Sequence, residues 1–197
     1  MDDNLLYHIP REHETERLIL RARQPGDGRM VYEAVVESFA MLSIWMDWAK
    51  SMPTLAESEN FGRESAQRFL YREELNYILL RKPDLLVVGA LGVHHIRWNV
   101  PAFELGYWGR TRTSGNGYIT EAVRVMTRYL FDTLGAERVE IRCDSRNERS
   151  AAVARRSGYP QEAVLRREAR ANDGQLRDTL VFAMLREDYA ALTRDGL

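Results

Sequence analysis

Between Glu104 and Ala122 the chain reads Glu-Leu-Gly-Tyr-Trp-Gly-Arg-Thr-Arg-Thr-Ser-Gly-Asn-Gly-Tyr-Ile-Thr-Glu-Ala, a strand-like stretch running through a glycine-bearing loop into an amphipathic helix. The first amides of a helix lack partners inside it, and the helix dipole is positive at that end, so such a start is an anion site. Gly115 and Gly117 let the backbone come close to a phosphate. The spacing is not that of a Walker loop, because no lysine follows Gly117, and Thr120 stands where a dinucleotide fingerprint needs its third glycine.

Trp45 and Trp48, in an irregular apolar stretch from Met41 to Pro53, are core by default and otherwise candidates for the wall of a substrate cleft. His94 and His95 are neighbours on a strand and are expected on opposite faces, so no metal site is assigned. His8 and His13 fall in an expected N-terminal tail over residues 1–13. The single cysteine, Cys143, excludes an internal disulfide and alternates with Val139 and Ile141, as a buried residue would.

The elements needed to position these groups are legible in outline. Arg17 to Arg23, Asn76 to Arg81, Leu85 to Trp98, Ala102 to Trp108, Val139 to Cys143 and Leu176 to Leu185 read as strands. Met30 to Phe39, Thr54 to about Leu75 behind a capping box, Ile119 to Leu130 and Ser150 to Ser157 read as helices, with Gly135 a C-cap for the third. The order fits an α+β (mixed α/β) fold rather than a doubly wound one. At 197 residues one domain is expected over 1–197. A net charge of -1 gives no footprint for nucleic acid. No apolar run suits a membrane helix and no signal peptide is visible, so a cytoplasmic protein is expected. Of 28 basic residues only Lys50 and Lys82 are lysines, which reads as genome composition.

Arg112-x-x-Gly115-x-Gly117 resembles the Arg/Gln-x-x-Gly-x-Gly/Ala signature of the GNAT N-acetyltransferase superfamily. Asn147-Glu-Arg-Ser150, followed by Gly158-Tyr159, is similar to an element of the branch that acetylates N-termini of ribosomal proteins (RimJ/RimL-like), as is the opening Glu14 to Arg21. The resemblance implies a mostly antiparallel twisted sheet splayed between its fourth and fifth strands, flanked by helices. It also implies acetyl-coenzyme A as co-substrate and a peptide or small-molecule primary amine as acceptor, in a monomer or homodimer. Tyr107 and Trp108 would pair with the pantetheine arm, and Arg112, Thr113, Ser114, Gly115, Asn116, Gly117 and Tyr118 would hold the phosphates. Asn147 and Ser150 would face the thioester. On this resemblance Glu104 is a candidate general base for the amine, its alternative being a solvent-facing strand glutamate. Ser150 is a candidate donor to the leaving sulfur, its alternative being a helix N-cap, and Trp45 and Trp48 are candidates to line the acceptor site. The tyrosine acid found in many members is replaced by Ala154. A non-catalytic acyl-coenzyme A sensor and a nucleotide kinase are the alternatives.

Overall fold

A computed structural model describes residues 8–194 of the chain. Eight strands form one sheet in the order β1-β2-β3-β4-β5-β6-β8-β7: β1 (Glu12–Glu14), β2 (Leu18–Ala22), β3 (Leu75–Arg81), β4 (Leu86–Arg97), β5 (Ala102–Gly109), β6 (Arg138–Asp144), β7 (Gln161–Arg170) and β8 (Leu176–Leu185). All neighbours are antiparallel except β5 and β6. The added β1 makes the expected fourth and fifth strands β5 and β6. Five helices accompany the sheet: α1 (Gly28–Trp45), α2 (Leu55–Tyr71), α3 (Tyr118–Asp132), α4 (Glu148–Arg156) and α5 (Arg186–Arg194). Among the described residues no helix is long and apolar enough to cross a membrane.

Alternation sends the two faces of the sheet into two cores. On one face Tyr77, Leu79, Leu91, Val93, Phe103, Leu105, Val139 and Ile141 pack against Ala122, Val123, Met126 and Leu130 of α3 and Ala151 and Ala154 of α4. On the other, Ile78, Leu80 and Val87 meet Val31, Ala34, Val35 and Leu42 of α1, with Trp108 beside them. At α2 the capping box is present: Thr54 Oγ1 accepts from the Glu57 amide, and the Glu57 carboxylate accepts from the Thr54 amide at 2.6 Å. Such a cap contributes about 1 kcal/mol.

Several expectations change. The tail expected through residue 13 falls partly on residues 1–7, outside the described residues. From Ile9 onward the chain is built in: Ile9 is buried, Glu12–Glu14 pairs with β2, and the His13 ring packs on Tyr77 and Tyr129. Burial lowers the His13 pKa to about 4. The first helix runs on to Trp45, absorbing the first five residues of the stretch expected to be irregular. The second stops at Tyr71, where Arg72 turns left-handed, and Leu75 begins β3. Thr133, not Gly135, caps α3.

Candidate active site

β5 divides the sheet. Along one edge it pairs with β4 from Ala102 to Gly109, while along the other it pairs with β6 only at Ala102–Arg138, Phe103–Val139 and Glu104–Glu140. Beyond Glu104 the two strands part. Side chains bridge what the ladder does not: the Tyr107 hydroxyl donates to the Ser150 carbonyl at 3.1 Å and accepts from Ser150 Oγ at 3.2 Å. Burial raises the Tyr107 pKa, so the phenol keeps its proton.

The parted strands open into a cleft of about 650 Å³. It brings together Trp45, Tyr107, Trp108, Thr113, Ser114, Gly115, Gly117, Tyr118, Asn147 and Ser150 of the expected residues. Arg112, Asn116, Trp48 and Glu104 do not line it. Arg112 lies 3.3 Å from Glu37, Asn116 donates to the carbonyls of Thr113 and Ser114, and Trp48 packs against Trp108 with ring centroids 6.4 Å apart.

At the floor of this cleft α3 begins without a cap. Its N-cap is Gly117, at φ 77 and with no side chain to accept, and Gly115 stands at φ 83; these left-handed turns suit glycine. A Cβ on Gly115 would meet nothing within 4 Å, so it is backbone conformation, not crowding, that favours glycine there. The amides from Gly115 through Thr120 have no protein acceptor among the described residues. Glu121, in the first turn, would repel an anion, but Arg17 and Thr15 take up its charge. Burial alone would raise the Glu121 pKa; hydrogen bonds from Thr15 and Arg17 outweigh it and lower it.

The loop is held from below by residues whose role the sequence did not reveal. Glu37 of α1 accepts from the Arg110 guanidinium at 2.8 Å and from the Arg112 amide at 3.2 Å, and Ser38 accepts from the Thr111 amide at 3.0 Å. The bond from Arg110 holds the Glu37 carboxyl below the usual carboxylate range. Met41, Met46, Arg149 and Arg156 also line the cleft. None carried a local signal, since Glu37 lies 73 residues from Arg110 in the chain.

Asn147 caps α4, its Oδ1 accepting from the Ser150 amide at 3.1 Å. This corrects the alternative role for Ser150: another residue is the cap, and the Ser150 hydroxyl is free to face Tyr107. Ala154 is fully buried and leaves no room for an acid at that place. Burial pushes the Cys143 thiol up and keeps it protonated, as a buried apolar residue rather than a nucleophile.

Around Glu104 the histidines depart from expectation. A bulge in β4 between His94 and Arg97 puts His95 at φ 47, and its Nδ1 lies 2.9 Å from Glu104 Oε2. His94, opposite Glu104 in the register, therefore shares a face with it, and His95 turns to the same carboxylate. Among the described residues no group of three or more histidine, cysteine or acidic side chains could hold a metal ion. Further round, the hairpin between β7 and β8 reaches back to α1. Asn172 donates to the carbonyls of Ser43 and Met46 at 2.8 and 2.9 Å, tethering the segment that carries Trp45 and Met46.

The family described as an acetyltransferase (GNAT) domain matches residues 17–160. A ribosomal-protein-serine acetyltransferase of Escherichia coli is 24% identical over 162 residues, 81% of this chain and 88% of that one. The solved structure of RimL, a ribosomal L7/L12 α-N-protein acetyltransferase in complex with coenzyme A, covers 90% of this chain and 97% of its own, with a TM-score of 0.80 at 22% identity. That of MccE, a microcin C7 self-immunity acetyltransferase with acetyl-CoA and AMP, covers 87% and 93%, with a TM-score of 0.81 at 19% identity.

Proposed function

Because the chain belongs to the GNAT acetyltransferase family, we propose that it passes the acetyl group of acetyl-coenzyme A to a primary amine, by direct attack with both substrates bound. The observation that carries this reading is the row of unpartnered amides from Gly115 to Thr120 at the floor of the cleft. They fit a pyrophosphate: the donors are fixed, the dipole is favourable, and Arg17 neutralises Glu121 in the first turn of the helix. The unpaired edge of β5 from Leu105 to Gly109 leaves backbone groups for the amides of the pantetheine arm.

That arm leads towards Ser150. As charge develops on the leaving sulfur, the Ser150 hydroxyl turns its hydrogen to it, and Tyr107 holds the serine in place. Glu104 supplies the negative charge that favours loss of the amine proton. For the acceptor, a peptide N-terminus is the leading class. It is supported by the ribosomal-protein acetyltransferases among the relatives and by the apolar lining of Trp45, Met46 and Trp108.

Calorimetry with acetyl-coenzyme A, then a free-thiol assay over peptides, polyamines and aminoglycosides, tests the reading. Micromolar binding with amine-dependent thiol release is expected, and absence of binding overturns it. Ser150→Ala should lower kcat roughly ten- to a hundredfold with the KM for acetyl-coenzyme A little changed. Its melting temperature should stay near that of the parent, because Asn147 is the cap.

A further inference from the structure

Attack by an amine that is protonated at neutral pH needs a base, and a lone carboxylate is a weak one for an ammonium. Glu104 is not alone. Its Oε2 lies 2.9 Å from Nδ1 of His95, whose side chain is 79% exposed. A regular strand would send His95 to the face away from Glu104. The β4 bulge, with His95 in the left-handed region, turns the ring back onto the carboxylate. A carboxylate only accepts, so the neutral ring carries its proton on Nδ1 and presents the Nε2 lone pair outward.

Neither side chain of the pair lines the cleft, but β5 leads from Glu104 into it at Tyr107 and Trp108. Glu104 is the last residue at which β5 pairs with β6, so the strands part at the dyad. Glu104, Gly106 and Trp108 share a face at steps of about 6.6 Å, and Trp108 lines the cleft. Gly106 faces Gly92 across the ladder, and neither contributes a side chain of its own to that face. The His94 ring lies over both glycines, 3.3 Å from where a Cβ on Gly106 would stand, and the Asn76 side chain also reaches over Gly92.

We propose that His95, oriented by Glu104, is the catalytic base that takes the proton from the acceptor amine, with Glu104 a positioning residue. This rests on the acetyl-transfer reading above. His95 Nε2 takes one proton from the ammonium, freeing the lone pair that forms the bond to the thioester carbon, and the second proton that the nitrogen gives up on becoming an amide passes to the departing sulfur by way of solvent. The carbon–sulfur bond breaks and its electron pair leaves on sulfur. Glu104 stabilises the imidazolium until solvent removes the proton.

Asparagine tolerates a left-handed backbone and can still donate to Glu104, but it has no basic nitrogen, so His95→Asn isolates the base. With an amine that wild type acetylates, its kcat should fall about 100-fold while the KM for acetyl-coenzyme A holds within about twofold. Adding Glu104→Gln should cost no more than about a further twofold, since the two act as a unit. In His95→Gly, a residue suited to the same backbone, free imidazole should restore turnover about tenfold. Without any amine, long-range proton–nitrogen NMR of the isolated protein should find neutral His95 protonated on Nδ1, and on Nε2 in Glu104→Gln. His95→Asn turning over within threefold of wild type, or His95 protonated on Nε2 in wild type, would overturn the proposal. Failure of the acetyl-transfer reading looks different: acetyl-coenzyme A would not bind, whereas the NMR signature would still report on the dyad.

Discussion

At the end of the cleft built by Arg110 to Tyr118, the backbone is fixed by charged hydrogen bonds from distant parts of the chain. Glu37 and Ser38 hold it from α1, and Arg17 holds it through Glu121 and the Asn116 carbonyl. The opposite end is walled by Met41, Trp45 and Met46, with Trp48 53% exposed outside, and Asn172 tethers it. Donors at fixed positions suit a phosphate, which favours a preorganised frame. A wall of methionine and tryptophan can repack around different side chains. On the proposed reading, the contrast explains why the donor substrate is the easier of the two to infer.

The frame breaks most readily at Glu37. Glu37→Ala would leave Arg110, a guanidinium only 8% exposed, without its carboxylate, and should cost about 2 kcal/mol in denaturant unfolding. Acetyl-coenzyme A should then bind at least about tenfold more weakly, as the loop loses its anchor. The pH dependence has a definite sign. Glu37 titrates below its unfolded value, so its contribution is full above the ordinary carboxylate range and is lost as the pH falls through the lowered folded value. The stability gap between wild type and Glu37→Ala should therefore shrink on acidification below about pH 4.5. A gap that is constant or widens would show the pair to be idle.

At the other end Asn172→Ala removes two hydrogen bonds to α1 and should cost about 1 kcal/mol. Its kinetic mark should be a raised KM for the amine with binding of acetyl-coenzyme A unchanged. A loss of cofactor affinity instead would mean that the two ends are coupled. Trp48→Ala is the mildest change. Stability should move by less than about 0.5 kcal/mol, while the KM for peptide acceptors rises several-fold. An unchanged KM across the peptide panel would remove Trp48 from the acceptor wall.

How far residues were legible follows from how local their interactions are. The Thr54 capping box is set by neighbours within a few residues and could be read from the chain, as could the glycine spacing of Arg112 to Gly117, while the cap of α4 was placed on Ser150 where Asn147 supplies it. β7 was missed because Gln161–Arg170 is exposed along most of its length and shows no alternation. α5 was missed because it follows β8 with no intervening turn. The face of His95 was misjudged because a bulge, set by pairing with β5, breaks the period that the inference used.

The sequence by itself determined a glycine-bearing loop that opens a helix, the strands on either side of it and the family to which they belong, because glycine spacing and hydrophobic period act locally. Tertiary structure alone decided that the parting of β5 and β6 begins after Glu104, that Glu37 braces the glycine loop and that His95 meets Glu104. Those contacts depend on strand register and helix packing between residues far apart in the chain, which no local pattern encodes.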